Sequence, residues 1–195
     1  MTVDAQNKRV SSTGKKYKIM SFNILYADNA PGFGTVDERR PLAVKQIKEI
    51  APDFVGMQEC TEKWFDYLCE DLGCDYGYVG ELNDPDRQRW RNPIFYRKDR
   101  FDLVETKTRW LTKTPDVQSK LEEPRQYRIV THVLLRDKET GKQLVYCNMR
   151  GKFPNGNMLD FCFVSLKTVN VTSHRVEDNI GASDHNPIVI RFSLN

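Results

Sequence analysis

A chain of 195 residues with 39% hydrophobic, 11% aromatic and 29% charged residues can build one domain with a sizeable core, which excludes wholesale disorder. A formal net charge of +3 is compatible with a phosphate-bearing partner but excludes the strong field of a chain that grips nucleic acid by charge alone. No window reaches membrane-spanning length, the first residues lack the apolar stretch of an export signal, and Cys60, Cys69, Cys74, Cys147 and Cys162 form no Cys-x-x-Cys pair, so reduced thiols and a cytoplasmic location without membrane contact are expected.

Residues 1–16 are polar, with Ser11, Ser12, Thr13 and Gly14 together, and read as a flexible tail; residues 17–195 read as the folded domain. Tyr17 to Leu25 is rich in β-formers and short, which predicts a strand, followed by a loop over Asp28 to Gly34. From Asp37 to Ala51 the apolar positions Leu42, Ala43, Ile47, Ile50 and Ala51 recur at helical spacing until Pro52 stops them. Phe54 to Glu59 is an apolar run ending in a carboxylate, and Thr61 caps a second helix with Trp64, Phe65, Leu68 and Leu72 on one face. Strand, helix, strand, helix implies a layered α/β domain.

Strands are then expected over Tyr76 to Val79, Pro93 to Tyr96, Phe101 to Leu111, Tyr127 to Leu135 and Gln143 to Asn148, with a hairpin turn at Lys138 to Gly141. Leu159 to Ser165, Val169 to Val176 and Pro187 to Leu194 supply three more. The segment Arg87 to Arg91 places three arginines and Trp90 before a strand, and reads either as a solvated hairpin arm or as a phosphate-contacting loop.

Four positions put polar chemistry where apolar residues belong. Glu59 ends a buried strand, where a carboxylate needs a cation or a donor, although alone it also reads as an acid near a helix start. Asn23 interrupts an apolar strand with an amide that both donates and accepts. Asp160 lies among strand-forming hydrophobes and needs a partner such as an imidazole, and His185, within Ser183-Asp184-His185-Asn186-Pro187, is the available one. Each taken singly also fits capping or core satisfaction.

Together, Met20-Ser-Phe-Asn-Ile24, Val55-Gly-Met-Gln-Glu59, Pro93-Ile-Phe-Tyr96, Leu159 to Ser165 and Ala182-Ser-Asp-His-Asn-Pro-Ile188 stand in the order seen in the endonuclease/exonuclease/phosphatase, or deoxyribonuclease-like, family. The chain resembles that family from about residue 17 to 148 and again from about 157 to 192. The resemblance implies an α/β layered sandwich of two mixed sheets flanked by helices. It further implies a Mg2+- or Mn2+-dependent phosphoesterase, with Glu59 and Asp184 as metal-binding residues. Asn23 is then similar to the asparagine of the phosphate and metal pocket, His185 to the general base and Asp160 to the aspartate that holds its ring.

The departure lies after Asn148. The family continues with Thr-His and later Gly-Asp-x-Asn, whereas here Met149 and Arg150 follow, and Asp160 arrives twelve positions after Asn148. His132 and His174 stand in the wrong places to replace that histidine and read as strand-surface residues. The second half is therefore abridged, activity is expected to be low, and the sheet left short is expected to pair its flanking strands directly and to self-associate. The substrate, whether nucleic acid, nucleotide, phosphoinositide or sugar phosphate, is not legible. The alternatives are a catalytically inactive relative that binds a phosphate ligand or a protein, and a deletion product.

Overall fold

The computed structural model describes residues 14–84, 90–122, 126–150, 168–178 and 180–194. The expected strand around Asp160 and Cys162, the arginines at 87 and 89, and the first thirteen residues of the tail lie outside them.

In chain order the elements are β1 (Lys16–Asn23), β2 (Asn29–Ala30), β3 (Gly34–Thr35), α1 (Val36–Ile50), β4 (Phe54–Gln58), β5 (Cys60–Thr61), α2 (Glu62–Leu72), β6 (Tyr76–Val79), β7 (Trp90–Arg91) and β8 (Ile94–Arg97). They continue with β9 (Phe101–Trp110), β10 (Ile129–Asp137), β11 (Gln143–Met149), β12 (Val169–Val176) and β13 (Ile188–Leu194). Each helix begins where its sequence supplies a cap. Thr35 and Glu38 form a reciprocal capping box at α1, and the Thr61 hydroxyl accepts from Trp64 N at the start of α2.

A six-stranded sheet runs β12-β13-β1-β4-β8-β6, and a three-stranded sheet runs β11-β10-β9. The larger sheet is mixed, since β1 and β4 are parallel and its other pairs antiparallel; the smaller is antiparallel throughout its described strands, where a mixed one was expected. Two cores result. Met20 and Phe22 of β1, with Ile24 just past its end, join Val55, Met57 and Phe95 against Ala43, Ile47, Trp64 and Leu68 of the helices. Tyr17, Ile19, Phe54 and Ile94 face Phe101, Val133, Leu135 and Leu144 of the smaller sheet.

Strand periodicity places Tyr17, Ile19, Ser21 and Asn23 on one face of β1, and Phe54, Gly56 and Gln58 on the same face of β4. The layer between the sheets therefore changes character along its length. It is aromatic and aliphatic at one end and polar at the other, where β1 and β4 reach their C-terminal ends together.

Asn148 of β11 bridges the two sheets at this polar end. Its Nδ2 donates to Met57 O at 2.7 Å and to Pro93 O at 2.8 Å, while Gln58 Nε2 donates to its Oδ1 at 2.7 Å. Gly56 makes room for this bridge, because a Cβ there would lie 2.4 Å from Tyr146 Oη and 2.8 Å from Asn148 Oδ1. At the opposite end Asp53 accepts from Lys18 N at 2.8 Å and pairs with Arg100, tying the smaller sheet to the larger.

His174 is exposed, as expected, on β12, an edge strand among the described residues, whereas His132 is partly buried with Nε2 3.8 Å from Glu105. Cys60, Cys69, Cys74 and Cys147 are free thiols, and burial raises the Cys60 thiol well above its ordinary value. No helix among the described residues is long and apolar enough to cross a membrane.

Candidate active site

Asn23 closes β1, and its carboxamide is buried with its Nδ2 donating to Glu59 Oε1 at 3.1 Å and its Oδ1 accepting from Leu25 N at 3.2 Å. Glu59 is 4% exposed and stands one residue beyond β4 rather than inside it, where the sequence pattern had placed it. The reason is conformational: Glu59 is left-handed, with φ 58°, so the strand ladder stops at Gln58 and the carboxylate turns to neighbouring donors. Besides Asn23, those are Tyr26 N, at 3.3 Å from Oε2, and the Arg150 guanidinium, whose Nη2 is 2.5 Å from Oε1. The alternative of a helix-start acid is thus not realised; Thr61 alone caps α2.

The loop before β13 joins the same end of the sheet. Ser183 is fully buried, its Oγ donating to Asn23 O at 2.6 Å and accepting from His185 N at 3.2 Å. This hydroxyl fixes Asp184 and His185 relative to Asn23. His185 Nε2 lies 3.9 Å from Asp184 Oδ1, beyond direct hydrogen-bond reach, and the Asp184 side chain is nearly half exposed. The expected pairing of His185 with Asp160 lies outside the described residues.

Arg39, unremarked in the sequence reading, is the buttress of these loops. It is wholly buried on α1, donating through Nη1 to Ile24 O at 3.0 Å, Leu25 O at 3.1 Å and Ala182 O at 3.4 Å, and through Nη2 to Ala27 O. Its guanidinium also sits 5.2 Å from the centre of the Trp64 ring, whose Nε1 donates to Leu25 O at 3.2 Å. Burial lowers the Arg39 pKa, partly offset by the charges of Asp184 and Asp28. A signal existed: Arg39 occupies the stripe of Val36, Ala43, Ile47 and Ile50, a charge at a core-facing helical position.

Two further arginines shape the site's charge. Arg128 is partly buried, and its pKa is lowered by burial first and by the positive charge of Arg150 second, against the raising effect of Glu59. Arg91, by contrast, is not available to a phosphate. It forks onto Glu62 at 2.7 and 2.8 Å, donates to Gly80 O and stacks on Phe65, so it clasps β7 to the start of α2.

An endonuclease/exonuclease/phosphatase family protein of Bacteroides thetaiotaomicron superposes with a TM-score of 0.78 at 20% identity, over 93% of this chain and 99% of the other. The chain has the endonuclease/exonuclease/phosphatase fold. A mannosyl-6-phosphatase of Bacteroides thetaiotaomicron is 31% identical with a TM-score of 0.62, over 67% of this chain and 50% of that one, so this chain spans half of that phosphatase. The catalytic domain of human Nocturnin, solved with a bound sulfate anion, matches at 14% identity and a TM-score of 0.69 over 92% and 95% of the two chains. No protein-family model and no curated protein matches the sequence. Within this fold the described site lies at the C-terminal ends of the parallel pair β1 and β4, the edge where open α/β sheets commonly hold ligands.

Proposed function

We propose that the chain is a phosphoesterase of the endonuclease/exonuclease/phosphatase family that works at the pocket formed by Asn23, Glu59, Asp184 and His185. The observation that carries this reading is the buried hydrogen bond from Asn23 Nδ2 to Glu59 Oε1, 3.1 Å long, at the paired ends of β1 and β4. Burying a carboxylate at this polar sheet end costs free energy, about 1–3 kcal/mol or more where its donors are incomplete, which favours a functional reason for its place there. The mannosyl-6-phosphatase is a phosphatase by name, and the sulfate on Nocturnin marks an anion site in that protein; both agree with a phosphate-bearing substrate.

In this reading His185 takes the proton of the attacking water and Asp160 holds its ring. Asn23 hydrogen-bonds the phosphate group, and Asp184 completes the polar pocket near the metal. The oxygen donors of Glu59, Asn23 and Asp184 suit a hard ion, magnesium or manganese, which binds through few carboxylates and keeps several waters. When bound to Glu59 such an ion would neutralise charge on a nonbridging oxygen. It would be a sparse site, since the described residues contain no group of three or more His, Cys, Asp and Glu able to hold a metal. Slow turnover is therefore expected, with the loss of donor groups costing about 10²–10³ in rate each.

A second reading, a phosphate-binding relative without turnover, is favoured by one observation: Arg150 already pairs with Glu59 at 2.5 Å. Hydrolysis of a phosphomonoester and a phosphodiester chromogenic substrate, with and without Mg2+, separates the two. Catalysis predicts slow release lost by about 10²-fold or more in His185→Gln and Glu59→Gln. Release unchanged in both variants, or none from any sugar phosphate, dinucleotide or phosphoinositide, defeats the enzymatic reading.

A further inference from the structure

Glu59 is acted on by more than one guanidinium among the described residues. One carboxylate, 5% exposed at its side chain, meets the Arg150 guanidinium at 2.5 Å, and the partly buried Arg128, whose Nη2 donates to Gln126 Oε1 at 2.6 Å, feels the charges of both. Among the described residues two guanidinium groups act on this buried carboxylate while the pocket's other acid, Asp184, is nearly half exposed to solvent, and paired guanidinium groups in a partly desolvated pocket can capture an anion. Arg150 touches Glu59 through Nη2, and a guanidinium carries five donors in all, so the group can hold the carboxylate and a phosphate oxygen at once.

The same contact bears on cations. A magnesium ion on Glu59 would sit about 2.1 Å from its oxygen, beside a guanidinium that already neutralises the carboxylate. The two positive groups repel at that range, with a strength set by the low dielectric of the buried site. Arg150 stands two residues past Asn148, whose amide is fixed by three hydrogen bonds, so its backbone is held where the side chain reaches Glu59. Two other arginines are held elsewhere: Arg39 binds four carbonyls and Arg91 binds Glu62.

We infer that Arg150 and a divalent metal are alternative occupants of Glu59, and that with Arg150 in place the pocket binds a phosphate group without metal, through Arg150 and Arg128. The inference rests on reading the pocket as a phosphate-ester site and adds which cation serves it.

The test uses the intact chain, inorganic phosphate and Mn2+. Phosphate binding is measured by calorimetry in EDTA and again with Mg2+, and Mn2+ binding by electron paramagnetic resonance without phosphate. Wild type is expected to bind phosphate in EDTA. Arg150→Gln should weaken that binding by about tenfold or more and tighten Mn2+ binding by a similar factor, the scale of one charge-assisted hydrogen bond. Arg150→Lys, which keeps the charge without the fork, should stay folded, hold Mn2+ affinity near wild type and bind phosphate a few-fold less well. Phosphate bound only in the presence of metal overturns the inference while leaving the phosphoesterase reading standing. Unchanged Mn2+ affinity in Arg150→Gln, with folding verified by circular dichroism, also overturns it. No phosphate binding under any condition defeats both.

Discussion

Replacing Asn148 by Asp changes one atom type and should unfasten the two sheets where the site is built. The wild-type amide donates to Met57 O and Pro93 O and accepts from Gln58, with all three bonds between 2.7 and 2.8 Å and the residue 3% exposed. An aspartate keeps the bond from Gln58 and loses both donors, turning an oxygen toward two carbonyl oxygens. Two buried hydrogen bonds at roughly 1 kcal/mol each, plus desolvation of a carboxylate facing acceptors, come to about 3–4 kcal/mol. For a chain of this size that corresponds to a fall in Tm of roughly 6–16 °C. Guanidinium unfolding followed by tryptophan fluorescence reads it directly, since Trp64 and Trp110 are buried. The midpoint should drop while the slope is kept. The carboxyl of the variant should have a raised pKa, because burial and facing acceptors disfavour its charged form. Such a group destabilises progressively as pH rises from the unfolded value through the folded one, so the deficit should shrink toward pH 4, where the neutral acid donates one bond again. A variant within about 1 kcal/mol of wild type at pH 7.5 would show that Asn148 is not the fastening described.

Arg39→Met keeps the length of the side chain but removes the arginine's hydrogen bonds to four carbonyls around the site, of which Leu25 O keeps the one from Trp64 Nε1; a loss of about 3 kcal/mol or more is expected by thermal melting, against under 1 if the arginine is merely packed. Acid sensitivity is tied to Asp137, where burial pushes the carboxyl up but the Thr140 backbone and hydroxyl, Lys15 and Tyr17 more than compensate, holding it at about 2. A depressed folded pKa gives stability that is complete above the unfolded value and lost as pH falls through the folded one. Asp137 should thus contribute about 2 kcal/mol at neutral pH that disappears between roughly pH 4 and pH 2. In Asp137→Asn the unfolding free energy measured across that window should be correspondingly flatter.

Much of the fold was legible because its signals are local. Thr61 ahead of Trp64, Leu68 and Leu72 located the second helix, and Tyr76 to Val79 matched its strand to the residue. Lys16 joined β1 one residue earlier than expected, and Ile129 opened β10 two later, the usual uncertainty of strand ends. The site was half legible. Asn23 and Glu59 announce themselves as polar residues in apolar runs, and Asp184 and His185 through the resemblance carried by residues 182–188. Arg150 and Arg128 do not, because nothing in a linear pattern says that a residue just beyond β11 meets one just beyond β4; that contact comes from the packing of one sheet on the other. Asn148 was read only as the end of a strand, since its partners, Met57, Gln58 and Pro93, are 91, 90 and 55 positions away.

The backbone at Glu59 ties these strands of reasoning together. Among the described non-glycine residues, Leu25, Ala51 and Glu59 are left-handed, and both Leu25 and Glu59 lie just past the paired ends of β1 and β4, beside the site. Such a conformation costs about 1 kcal/mol or more for a residue with a Cβ, and it persists where the surroundings hold it. At Glu59 the holders are Asn23, Tyr26 N and Arg150, all acting through the carboxylate. Deleting that carboxylate should therefore expose the backbone cost. Glu59→Ala loses the anchors and keeps the unfavourable φ of 58°, whereas Glu59→Gly loses the same anchors and adopts that φ without penalty. The glycine variant should be more stable than the alanine variant by about 1 kcal/mol, even though glycine ordinarily loses to alanine by 0.5–1 through its freer unfolded chain. Both should be equally impaired in phosphate turnover, because both lack the carboxylate. Paired denaturation curves decide the matter: if alanine proves as stable as glycine or more so, Glu59 carries no backbone strain, and its position after β4 is set by chain connection alone.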